Sequence, residues 1–159
     1  WTCTDAVRML LYQRVLQKSD DKSILQDAYR FGDELEKSAI LKGLSLLDPV
    51  GTQVELAVNA GRTNSTTLFS AIALFNDYPS QYYSEAAFNQ LVIKSLFLNL
   101  NISNIYGLQK RLNPTLTQMC LDFIKECLAA GRNLPYSIDL AIDLTELNIE
   151  DTALCRQYF

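Results

Sequence analysis

Behind Asn113-Pro114, the apolar residues Leu116, Met119, Cys120, Phe123, Ile124, Cys127 and Leu128 follow one another at spacings of 3, 1, 3, 1, 3, 1, and the run stops at Gly131. That rhythm traces one face of an α-helix and cannot be a strand, whose successive side chains point to opposite faces. Each end carries its own punctuation. Asparagine accepts from the unpaired N–H groups of a first turn, proline tolerates the first helical position, and glycine takes the left-handed conformation that ends a helix. A chain with such a face must offer others to bury it.

The neighbouring segments are read in the same way. Ser84-Glu85 caps a helix whose Phe88, Leu91, Val92, Ile93, Leu96, Phe97 and Leu98 spread almost all round, the pattern of a central buried element, with Gln90 and Lys94 as its polar stripe. Near the start, Thr4-Asp5 reads as an N-cap with an acidic first turn. Val7, Leu10, Leu11 and Val15 then recur at helical spacing, with Arg14 alongside. Ser19-Asp20-Asp21 caps a shorter helix through Ile24, Leu25, Ala28 and Tyr29, and Asp33 opens a third that runs to Leu47 before Asp48-Pro49. Periodicity leaves Val50 to Ala60 open between helix and strand, and the absence of any strand partner favours helix. The polar run Arg62-Thr63-Asn64-Ser65 starts Thr66 to Phe75, and Asn76-Asp77-Tyr78-Pro79 breaks the chain as a turn. Pro135 opens a segment toward Leu144, and a short helix is expected in the tail to Phe159.

The expected fold is therefore all-α: seven or eight short helices in an antiparallel α-α array, a repeat-like superhelix being one form of it, in a single domain over residues 1–159. A chain of 159 residues buries roughly 70% of the surface its unfolded form exposes, enough for a core without staples. The 14 Lys and Arg are scattered and the net charge is −4, so the clustered cationic face that nucleic-acid binding needs is missing. The most apolar stretch, Leu91 to Leu100, is interrupted by Lys94, Ser95 and Asn99, well short of the roughly twenty residues that span a bilayer. Trp1-Thr2-Cys3-Thr4-Asp5 lacks an initiator Met and the basic and apolar regions of a signal peptide, as a trimmed start would.

Four cysteines, Cys3, Cys120, Cys127 and Cys155, match no zinc or redox spacing. Cys120 and Cys127 stand about 10.5 Å apart along one helix at roughly 1.5 Å per residue, beyond disulfide reach. They read as small apolar core fillers in a reducing compartment, which fits a cytoplasmic protein. Histidine is absent. With it go the general base that titrates near neutrality, the Ser-His-Asp and Cys-His pairs, and the usual nitrogen ligands of zinc. Neither a cofactor nor a metal is expected, and the balance falls against an enzyme.

Candidate binding residues are the single amide, phenol and cationic groups set into apolar surroundings: Arg62, Asn64, Asn76, Tyr78, Asn89, Gln90, Lys94, Arg111, Asn113 and Arg132. Polar groups are costly to bury unpaired, so each needs a partner or a ligand. Asn89 is either an amide bridging two helices or part of a pocket. Asn64 and Asn113 read first as N-caps. Gln90 and Lys94 form either a solvent stripe or a cationic pocket wall, which would need a depressed pKa or a carboxylate such as Asp122 or Glu126. Arg62, Arg111 and Arg132 lie just beyond helix ends, where a guanidinium bonds terminal carbonyls or grips a carboxylate or phosphate. Tyr78, Tyr82 and Tyr83 either line an apolar mouth or pack beneath a loop. Asp33, Glu34 and Glu36 read as the acidic start of a helix rather than a metal cluster.

The strings Arg62-Thr63-Asn64, Asn76-Asp77-Tyr78-Pro79, Glu85 to Phe97, Ile105-Tyr106-Gly107-Leu108, Arg111-Leu112-Asn113-Pro114 and Ala129-Ala130-Gly131-Arg132 resemble the EboA family, in its order. Residues 1–45 match it only in helical character. The resemblance implies a helical, cytoplasmic accessory protein, encoded beside enzymes of secondary-metabolite assembly in operons associated with delivering precursors across the inner membrane to the cell envelope. It implies no catalytic activity. Relatives often carry histidine where this chain has Phe75 and Lys125, and tryptophan where it has Phe88 and Leu128, which favours binding over catalysis in this member.

The leading expectation is a non-catalytic module that binds a small metabolite or an operon-encoded partner protein through a cleft around Arg62, Asn64, Asn89, Lys94, Arg111 and Arg132. The alternatives are a hydrolase or lyase using Lys94 or Tyr78 with a carboxylate, and a scaffold that docks a membrane enzyme.

Overall fold

The computed structural model of this chain describes residues 1–19 and 23–159, and every regular element among them is a helix. Ten are α-helices, eight of them seven residues or longer, so the all-helical expectation holds. The chain divides into two compact units, Trp1–Tyr83 and Ser84–Phe159.

The first unit holds α1 (Cys3–Leu16), α2 (Ile24–Phe31), α3 (Glu34–Lys42), α4 (Leu44–Leu47), α5 (Val54–Gly61), α6 (Thr66–Ala73) and α7 (Tyr78–Tyr82). Its centre is α3, which packs against α1, α2 and α6. Ala39, Ile40 and Leu41 of α3 are wholly buried with Leu44, Ile72 and Ala73, and Phe69 nearly so. Local chemistry sets the starts. Thr2, not Thr4, caps α1, exchanging bonds with Asp5 in a capping box, and Asp33 does the same with Glu36 at α3. The acidic trio at residues 33–36 is thus a helix start, as expected. Of the cap read at Ser19-Asp20-Asp21, the two aspartates lie outside the described residues.

Three differences from the sequence reading have physical causes. The single helix expected from Asp33 to Leu47 is divided at Gly43, where α1 comes so close that a Cβ would lie 2.5 Å from Met9 Cγ. The stripe that announced α1 faces outward: Val7, Leu10, Leu11 and Val15 are exposed. The helix is instead anchored by Asp5, which is buried and receives a 2.9 Å bond from Lys42 Nζ of α3. Finally, Tyr78-Pro79 does not merely break the chain but opens the one-turn helix α7, proline being tolerated in a first turn.

The second unit holds α8 (Glu85–Phe97), α9 (Pro114–Ala129) and α10 (Ile149–Tyr158), with 3-10 turns at Ile102–Asn104, Leu108–Lys110, Ile138–Ala141 and Leu144–Glu146. Ser84 and Asn113 cap α8 and α9 through their side chains, as their sequence positions indicated. Phe88, Val92, Ile102, Leu116, Cys120, Ile124, Ile138 and Ala141 are wholly buried. The segment expected to start at Pro135 forms only a 3-10 turn. Ser137 Oγ accepts from Ile102 N and the Asp143 N–H donates to Thr117 Oγ1, so tertiary bonds replace a helical ladder at both ends. The tail helix α10 forms and is tied to α9 by Lys125–Asp151 at 2.9 Å.

Cys120, Cys127 and Cys155 are buried free thiols, and burial pushes the Cys120 thiol up to about 12. Cys3 departs from the core-filler reading, since it lies exposed in the first turn of α1.

Candidate ligand-binding site

In the first unit Asn76 is bonded to Tyr78 and Tyr78 to Asp48, and all three make bonds with nearby backbone. Asn76 donates to Leu41 O at 2.8 Å and Ala71 O at 3.0 Å, and its Oδ1 accepts from Tyr78 N at 3.1 Å. One amide thereby fixes the end of α6 to α3 and starts α7. Tyr78 is wholly buried, and its hydroxyl donates to Asp48 Oδ2 at 2.6 Å. The same carboxylate accepts from Gln53 N at 2.7 Å and from both Thr52 N and Thr52 Oγ1. Burial pushes the Asp48 carboxyl up, but the bonds from Tyr78, Gln53 and Thr52 hold it below its ordinary value. Burial and the facing carboxylate drive the Tyr78 phenol in the other direction, far above the range in which it could act as a base. Gly51 completes the loop at φ 75, where a Cβ would lie 2.4 Å from the Tyr82 ring. The tyrosines therefore pack beneath a loop.

Arg62 and Asn64 are exposed. Arg62 Nη1 donates to Asn59 Oδ1 at 3.1 Å, and the cap of α6 is Ser65 rather than Asn64, with Ser65 Oγ accepting from Leu68 N.

In the second unit Asn89 and Asn113 pair reciprocally. Asn89 Nδ2 donates to Asn113 Oδ1 at 3.1 Å, and Asn113 Nδ2 returns a bond to Asn89 Oδ1 at 3.0 Å. Asn113 Oδ1 also accepts from Leu116 N, and Asn113 Nδ2 also donates to Arg111 O. The pair joins α8 to the start of α9. Beside it the Arg111 guanidinium lies over the Phe88 ring, 4.5 Å from its centroid. Replacing Asn113 with alanine removes the cap and leaves the buried Asn89 amide without this partner. Chemical denaturation followed by circular dichroism should register a loss of about 2–4 kcal/mol, the sum of a cap and an orphaned amide. Gln90 is exposed, and Lys94 is half-buried, which lowers its pKa.

A hollow of about 420 Å³ opens where α8 and α9 end, within the range of roughly 300–1,000 Å³ typical of small-molecule sites. Both helices end in the same six-residue motif. Gly131, at φ 63, donates to Leu128 O, while Arg132 N reaches back to Cys127 O at 2.9 Å. At the end of α8, Asn99 takes the left-handed place at φ 55 and donates to Leu96 O, while Leu100 N bonds Ser95 O. These two terminations place Asn99 and Arg132 in the lining of one cavity. Phe123 and Cys127 contribute buried apolar surface to it, Phe97 and Tyr136 are its exposed aromatic residues, and Asn133 adds an amide. Phe97 and Tyr136 are 67% and 69% exposed, apolar surface that core packing does not use.

Of the ten residues proposed from sequence, Arg132 alone belongs to this lining. Asn76, Tyr78, Asn89 and Asn113 carry the bonds just described. Sequence reasoning missed Asn99, Phe97, Asn133 and Tyr136. A signal was available at Asn99, since asparagine is the residue after glycine most tolerant of the left-handed helix end.

The chain is thus all-helical, with an apolar hollow that has aromatic walls, one guanidinium and two amides. This chain belongs to the EboA family: the family model described as "Metabolite traffic protein EboA" matches residues 1–142, including the first 45 positions, where only helical character was visible. Membership implies a role in metabolite traffic. Neither a curated protein nor a solved structure matches the chain. Among the described residues, no helix is long and apolar enough to cross a membrane, and no group of three His, Cys, Asp or Glu side chains is arranged to hold a metal ion.

Proposed function

We propose that the chain serves metabolite traffic as a non-catalytic binding module that holds a small metabolite with an apolar body and an anionic group in the hollow at the ends of α8 and α9. The observation that carries this reading is the fixed position of Arg132, whose backbone is locked by the end of α9 beside Phe97, Tyr136 and two amides. With the backbone already fixed there, only the side chain of Arg132 has to be ordered when its guanidinium meets a carboxylate or phosphate. In the cell we place the protein in the cytoplasm, as an accessory to the delivery of secondary-metabolite precursors to the envelope.

The enzymatic alternative needs a phenol or amine that titrates in contact with substrate. Tyr78 is wholly buried with its hydroxyl committed to Asp48, and Lys94, whose pKa burial lowers, is not among the residues that line the hollow, which favours binding over turnover there. Native mass spectrometry of protein purified from its own cells should find a retained small molecule. Arg132→Ala should weaken its retention about ten- to a hundred-fold, as expected for losing a hydrogen bond between charged groups worth roughly 1.5–3 kcal/mol. Equal retention by the variant, or no bound mass in the wild type, would overturn this reading.

A further inference from the structure

The first unit has a hollow of its own, of about 320 Å³, lined among others by Trp1, Ser38, Lys42, Thr67, Ser70 and Phe75. Phe75 is the anomaly there. Its φ is 53, in the left-handed region where a bulky side chain is strained, and its ring is 74% exposed. Neither the backbone nor the core gains from an aromatic residue at this position, where glycine would relieve the strain. The chain is held on both sides of it. Leu74 N closes α6 on Ser70 O, and Asn76 is locked to Leu41 O and Ala71 O, so the backbone that carries the phenyl ring is fixed. Strain kept in place by its surroundings is characteristic of ligand sites.

The chemistry around Phe75 narrows the occupant. Trp1, 59% exposed, supplies a second aromatic surface, while Ala71 and Leu74 are apolar lining. The hydroxyls of Ser38, Thr67 and Ser70 offer hydrogen bonds. Lys42 Nζ bonds Asp5 Oδ2 at 2.9 Å, so its charge is already balanced, and an ammonium has three N–H donors where this bond uses one. A ligand anion would face Asp5 as well as Lys42, and a ligand cation would face Lys42. We propose that this hollow binds a small uncharged aromatic molecule bearing an oxygen acceptor, its ring against Phe75 and Trp1 and its oxygen toward Lys42 and the hydroxyls. This hollow lies in the first unit, and the Arg132 hollow in the second.

Trp1 is the only tryptophan of the sequence, so its fluorescence reports on this hollow alone. Three probes share one ring and differ in charge: benzamide, benzoate and benzylammonium. Benzamide should change Trp1 emission saturably and bind more tightly than either charged analogue. Phe75→Gly should weaken benzamide about five- to ten-fold, the worth of an aromatic contact, while holding or raising the melting temperature because it relieves the strained φ. Thr67→Val, which keeps side-chain shape and removes a hydroxyl, should also weaken it. Arg132→Ala should leave the response unchanged. An unsaturable response, tighter binding of benzoate or benzylammonium, or full affinity in Phe75→Gly would overturn the proposal. None of these results bears on the metabolite retained through Arg132.

Discussion

Asp48→Ala is expected to lower the free energy of unfolding by about 3–5 kcal/mol, because it strands the buried Tyr78 hydroxyl and Gln53 N–H, each orphan costing roughly 1–3 kcal/mol, and removes the bonds to the exposed Thr52. Asp48 is 4% exposed, so water cannot fully replace the carboxylate. Tyr78→Phe removes a single bond to a charged group and should cost less, about 1.5–3 kcal/mol. The carboxyl also ties stability to pH in a definite direction. Folding lowers its pKa below the ordinary 3.8, so the unfolded chain binds the proton more readily. The stabilisation is complete above that value and drains away as the pH falls through the lower, folded one. Asp5 is shifted the same way: burial pushes it up, and Lys42 and Thr2 hold it down. Urea titrations between neutral and strongly acidic pH should therefore show stability falling on acidification, with a shallower fall in Asp48→Asn. Equal acid sensitivity in the variant would remove Asp48 from the account.

The sequence disclosed helices where local chemistry decides the outcome. Asn113-Pro114, Ser84 and Asp33 mark starts because a capping side chain acts within one turn, and Gly131 marks an end because the left-handed place is local too. It was silent where partners distant in sequence decide. That Asp5 meets Lys42 across 37 positions while Val7, Leu10, Leu11 and Val15 stay exposed, and that Met9 comes close where the helix divides at Gly43, are such long-range outcomes. Asn76 and Tyr78 had been recognised as amide and phenol groups in need of partners, but their use depends on Leu41, Ala71 and Asp48, which no spacing rule connects to them. The same holds for the proposed site. Arg132 was visible as a cation beyond a helix end, while Phe97 and Asn99 became its neighbours only through the endings of two different helices.

Phe88→Ala should destabilise the second unit by about 3–5 kcal/mol, the range for truncating a buried phenylalanine. Phe88 is wholly buried on α8 beside Asn89, so the void cannot fill with water at little cost, and the Arg111 guanidinium loses the ring 4.5 Å away. Arg111→Ala alone removes that stacking while leaving the Arg111 carbonyl to accept from Asn113, and should cost about 0.5–2 kcal/mol. Comparing both single variants with the double variant by denaturant titration separates the terms. If the guanidinium acts through the ring, Arg111→Ala should cost almost nothing once Phe88 is alanine, because its partner is already gone. A full additional loss in the double variant would place the contribution of Arg111 elsewhere, in bonds that do not pass through the Phe88 ring. Phe88→Leu should fall between, since leucine keeps most of the buried volume but offers no ring to the guanidinium. Graded losses from leucine to alanine, together with an Arg111 effect that vanishes in both backgrounds, would assign the stability at this end of α8 to volume and to one cation–ring contact.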